Sequence, residues 1–177
     1  MPSTYIRRFS SAILAAMGVF LIYYSYRAIG FLVEFSFLDH SLWEKHYLVR
    51  GDVVIPTWLR VSYFMAWMFP ISATAIMLLV TMYLTNLIRS GGHFSIQMIR
   101  ALQRVGVFAV IAGATLMGAT SVWAWMITYQ NTAERRSPYL YYDSAQVGII
   151  LLGVGIFMLG WVLKTALLMR QENEEFV

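Results

Sequence analysis

The sequence predicts an all-α integral membrane protein: a single domain of 177 residues folded as an antiparallel bundle of four spanning helices, with an amphipathic cytoplasmic segment before the third. Three observations predict it. The chain is 59% hydrophobic and only 12% charged, half the charge of a typical soluble domain at about 25%, and its mean hydropathy is +0.63. Too little polar surface remains to coat a body in water, which excludes disorder, a disulfide-built secreted domain and an ordinary cytosolic enzyme. Second, four separate runs reach the roughly 20 apolar residues that cross a hydrocarbon core of about 30 Å. Third, those runs are continuous rather than alternating, so the backbone satisfies itself as helices and not as barrel strands.

The first span covers residues 9–33 and is apolar except for Arg27 near its far end. A cleaved signal peptide is the alternative for this segment. The run is longer than a usual signal core, however, and it closes on Tyr23, Tyr24 and Tyr26 rather than on small residues. The second span, residues 61–88, holds no formal charge and contains Pro70, which removes one backbone hydrogen bond and predicts a kink. The third, residues 105–129, is also uncharged, and the fourth covers residues 144–163, between Asp143 and Lys164.

Residues 34–60 form the longest stretch between spans, mixing Phe35, Phe37, Trp43 and Tyr47 with charges. It reads as a cap on the bundle mouth or, alternatively, as a partner-binding loop. The second span breaks at Gly91 and Gly92, and Ser95 is the expected N-cap of the next helix. From there Met98, Ile99, Ala101, Leu102 and Val105 fall on one side of a helical wheel, and Gln97, Arg100, Gln103 and Arg104 on the other. Such a segment either lies on the inner headgroups or simply prolongs the third span, its arginines setting topology.

Of the 13 basic residues, Arg7, Arg8, Arg89, Arg100, Arg104, Lys164 and Arg170 fall on the side of the termini, and six on the other. The count decides little. The short loop joining spans two and three carries arginines and no acid, whereas the loop after span one is diluted by Glu34, Asp39, Glu44 and Asp52. Both termini are therefore expected in the cytoplasm. Trp58, Trp123, Trp125 and Tyr129 gather at the opposite face as an aromatic belt. The net charge of +4 reflects these helix ends, and no Lys/Arg block of the nucleic-acid-binding type occurs.

Small residues mark where helices meet. Span four spaces Gly148 and Gly155 seven apart, and Gly153 and Gly160 likewise. Span three pairs Ala109 with Gly113 and Ala114 with Gly118 at four.

Chemistry is sparse. The chain has no cysteine, which removes thiolate metal sites, iron–sulfur clusters, thiol catalysis and cysteine-attached haem. Arg27 is the one candidate for a working charge at the membrane edge, with Glu34 nearby; snorkelling to the headgroups or pairing with Glu34 or Asp143 is the plainer account. His40, His46 and His93 lie outside the spans and do not match a helical zinc pair. No glycine-rich phosphate loop, nucleophile elbow or paired carboxylate in a membrane cleft is present. No catalytic residue, cofactor or metal is expected. Arg89, Arg100 and Arg104 are the candidates for contact with lipid or a partner at the inner surface.

Two stretches carry a resemblance. Gly92-His93-Phe94-Ser95, followed by Leu102-Gln103-Arg104-Val105-Gly106, and the acidic tail from Gln171 to Val177 resemble a bacterial four-span inner-membrane family catalogued only as a domain of unknown function. In that family a Gly-x-Phe-Ser/Thr turn precedes a Leu-Arg-x-Ile/Val-Gly-like helix; here the arginine is displaced by one. The resemblance implies four helices in a bacterial inner membrane and no activity, substrate or cofactor.

The expected role is accordingly a non-enzymatic accessory, assembly or regulatory partner of other membrane proteins, its partners being membrane lipids and other membrane proteins or further copies of itself. A small oligomeric transporter or channel is the alternative, with Thr81, Thr85, Asn86, Ser121 and Thr128 as its only polar hints. A cofactor-binding membrane enzyme is the third reading.

Overall fold

The computed structural model describes residues 4–35, 56–90, 95–128 and 143–175. They form four helices: α1 (Thr4–Phe35), α2 (Thr57–Arg89), α3 (Ile96–Thr128) and α4 (Ser144–Glu175). All four are long and apolar enough to cross a membrane. His40, His46, His93, residues 36–55 of the loop after span one and the Gly91–Gly92 break lie outside the described residues, while the expected loop gives up Glu34 and Phe35 to α1 and residues 57–60 to α2.

Each helix has 32 or 33 residues. At 1.5 Å per residue that is about 50 Å, well beyond a hydrocarbon core of about 30 Å. The apolar runs mark only the part that meets lipid tails. α4 continues for three turns past Lys164, and α3 begins nine residues before Val105.

The ends have local causes. Ser95 caps α3: its hydroxyl accepts from the Met98 N–H at 3.2 Å and its carbonyl from the Ile99 N–H at 3.1 Å. α2 closes where Ser90 N–H donates to the Asn86 carbonyl at 3.0 Å. At the start of α4, Asp143 and Gln146 build half of a capping box, the Asp143 N–H donating to the Gln146 side-chain oxygen at 3.1 Å. Pro70 sits buried within α2, which continues through it.

The helices pack mainly on their neighbours in the chain, α1 on α2, α2 on α3 and α3 on α4. α2 and α3 each pack on two neighbours, and α3 is the most buried helix while α1 is the least. Trp58, near the start of α2, meets Trp125, near the end of α3, with ring centroids 5.4 Å apart. Along the next seam Gly113 lies against Gln146 and Ile150, Gly106 against Gly153 and Phe157, and Gln103 against Gly160. Partner numbers fall as the α3 numbers rise, so α3 and α4 run antiparallel. The contact from α1 is lighter; the Tyr24 hydroxyl donates to the Ile71 carbonyl at 3.4 Å.

The segment before span three is not a separate helix. It forms the first turns of α3, and its apolar side faces protein: Ile99 is 1% exposed, and Ala101 and Val105 are buried with it.

Candidate interaction surfaces

Several hydroxyl side chains within the spans turn back on their own helices. The Thr81 hydroxyl donates to the Met77 carbonyl at 2.7 Å, Thr85 to Thr81 at 2.9 Å and Ser121 to Met117 at 2.7 Å. A threonine or serine bonded in this way has its hydroxyl donor satisfied within its own helix. Asn86 is exposed near the end of α2. Among the described residues no three His, Asp or Glu side chains gather where a metal ion could be held.

A side-chain hydrogen bond ties α3 to α4. Gln146, 5% exposed, donates from Nε2 to the Thr120 hydroxyl at 3.2 Å while its oxygen caps α4. Sequence reasoning missed it. The signal was there: a glutamine three residues after an aspartate at the start of an apolar run.

The glycines divide. A methyl group at Gly106 would stand 2.6 Å from the Phe157 backbone nitrogen and 2.7 Å from the Gly153 carbonyl oxygen; one at Gly153 would stand 2.8 Å from the Gly106 carbonyl oxygen and the Val110 nitrogen. A methyl group at Gly113 would stand 2.6 Å from the Ile150 Cγ1, and one at Gly160 2.7 Å from the Gln103 Cγ. The α3–α4 seam thus carries a glycine pair seven apart on each helix, with Gly106 and Gly153 meeting each other and Gly113 and Gly160 each facing a side chain of the other helix. Gly106 belongs to it and was not anticipated. Gly118, Gly148 and Gly155, expected to serve helix packing, meet nothing within 4 Å. The reason is angular: Gly148 and Gly153 differ by five residues, about 140° around the helix, so the two seven-residue pairs of α4 look in different directions.

Among the described residues α4 reaches α3 through one stripe, Gln146, Ile150, Gly153, Ile156, Gly160 and Leu163, all buried or half-buried, with the Phe157 backbone beside Gly106. The other faces are exposed, Leu151, Leu152, Met158, Leu159 and Trp161 among them.

α3 shows the reverse proportion. Its exposed residues, among described side chains, are Gln97, Arg100 and Arg104, then Val107, Ile111, Ala114 and Gly118. They succeed one another at intervals of three and four and so form a single lane along one face. Arg89 is exposed at the end of α2, on the side where α3 begins. Arg27 is exposed on α1. Glu34 stands seven residues on, about 10.5 Å along the same helix.

A family model described as protein of unknown function (DUF2975) matches residues 51–177, which takes in α2, α3 and α4 and leaves α1 outside. No curated protein and no solved structure matches the chain.

Proposed function

The chain belongs to the family described as protein of unknown function (DUF2975), and from that footing we propose that it is a non-enzymatic accessory, assembly or regulatory partner of other proteins in a bacterial inner membrane. The observation that carries this reading is the surface of α4. One stripe holds that helix to α3, and the remaining faces, including Gly148 and Gly155, are open. Small residues seven apart on an open face allow a foreign helix to approach closely, as Gly153 and Gly160 allow α3. The interior supports the same reading, since Thr81, Thr85 and Ser121 are bonded within their own helices. What the molecule offers is a lateral surface.

The test is gentle extraction of the chain at native expression in mild detergent, followed by mass spectrometry of what accompanies it. Wild-type chain is expected to bring a membrane protein with it, and G148L/G155L to lose that companion while still accumulating in the membrane. A chain that stays alone after crosslinking overturns the reading.

A further inference from the structure

The lane on α3 changes character along its length, and we infer that it is a binding site for one anionic phospholipid, independent of any protein partner on α4. Gln97, Arg100 and Arg104 occupy one end, and Val107, Ile111, Ala114 and Gly118 the other. The polar part spans seven residues of rise, about 10.5 Å, the scale of a headgroup region; the apolar part spans eleven, about 16.5 Å, against about 15 Å for one leaflet's half of the hydrocarbon core. One polar-to-apolar boundary on one helix face thus matches one lipid in one leaflet.

Charge selects the headgroup. Arg100 and Arg104 are one turn apart on the same exposed face, and neither α2 nor α3 contains an acid. The acids of the α4 tail lie further out. Gln103 faces Gly160, so Lys164 stands level with Arg100, whereas Glu172 is about 18 Å past Gly160 and the start of α3 only about 10.5 Å past Gln103. Two guanidiniums at phosphate depth, with no carboxylate beside them among the described side chains, favour a net negative lipid over a zwitterionic one. The apolar part tapers from Val107 and Ile111 to Ala114 and Gly118, and a methyl group at Gly118 would meet nothing within 4 Å. An acyl chain has room to lie against the helix backbone there. Topology alone requires arginines at this end of the helix; it does not require them to share a face with a tapering apolar lane.

Native mass spectrometry of the full chain in mild detergent tests the site, with phosphatidylglycerol or phosphatidylcholine of the same acyl length added in turn. Wild type is expected to bind one phosphatidylglycerol in preference to phosphatidylcholine by about 30-fold, the factor two surface arginines supply. R100Q/R104Q should erase the preference, and A114L/G118L, which leaves every charge in place, should weaken both lipids. If R100Q/R104Q fails to insert, the second variant decides. Equal binding of the two lipids by wild type, unchanged phosphatidylglycerol binding by A114L/G118L, displacement by inorganic phosphate alone, or a second copy of the chain in place of the lipid would each overturn the assignment.

Discussion

Gly106 and Gly153 differ from the other glycines in what a side chain would strike. At both positions the obstacle is backbone, at 2.6 to 2.8 Å, and backbone inside two packed helices cannot swing aside as a side chain can. At Gly113 the nearest atom is the Ile150 Cγ1 at 2.6 Å, which has a rotamer to change. G106A and G153A are therefore expected to open the α3–α4 seam and cost about 1–3 kcal/mol each, the usual range for overpacking. G148A and G155A should leave the stability of the isolated chain unchanged or slightly raised, since alanine is the better helix former. Thermal unfolding of the four variants in one detergent makes the comparison, and a G106A midpoint equal to that of G148A would refute the close approach. The same residues show how legible the seam was. Gly153 and Gly160 were readable from their spacing of seven; Gly106 was not, because α3 offers competing four-residue spacings at Ala109–Gly113 and Ala114–Gly118, and only packing tells which faces a partner. Ala109 is buried and Ala114 is exposed.

Helix existence and helix extent have different physical origins. The number of helices depends on how many apolar runs are long enough to cross hydrocarbon, and that was readable directly. The extent is set outside the hydrocarbon by caps and by residues that favour helix in water, such as the Gln, Glu and Arg of the α4 tail and the Arg and Gln of early α3. An apolar criterion stops short of both. The distinction has a consequence for the start of α3. An amphipathic helix resting on headgroups buries its apolar side in lipid; a packed prolongation buries it in protein. Ile99 at 1% exposure, against 42% for Val107, puts this segment in the second class. I99A should then lower the thermal midpoint strongly, by the equivalent of about 2–4 kcal/mol for a buried aliphatic truncation, while V107A should do little. Equal small effects would return the segment to the membrane surface. Gly118, Gly148 and Gly155 teach the complementary point, that seven-residue spacing identifies a face and not what lies against it.

At the scale of the molecule, the packing of α2, α3 and α4 collects features that are scattered in sequence. Arg89 at the end of α2, Arg100 and Arg104 at the start of α3 and Lys164 toward the end of α4 come to one end. The Trp58–Trp125 pair and the Asp143–Gln146–Thr120 cluster come to the other. Cations are retained on the cytoplasmic side during insertion, and amphipathic rings sit at the interface. The arginine end is thus expected to face the cytoplasm, and with an even number of spans both termini share that side. Because the chain has no cysteine, a single introduced thiol reports sidedness without background. S90C and S144C place one at each end, both at exposed positions. In intact spheroplasts a membrane-impermeant maleimide should label S144C and spare S90C; permeabilisation should expose both. Labelling of S90C alone would invert the molecule. It would also move the α3 lane to the outer leaflet, leaving its arginines to meet whatever anionic lipid that leaflet holds, so the measured orientation fixes which pool of lipid the site can draw on.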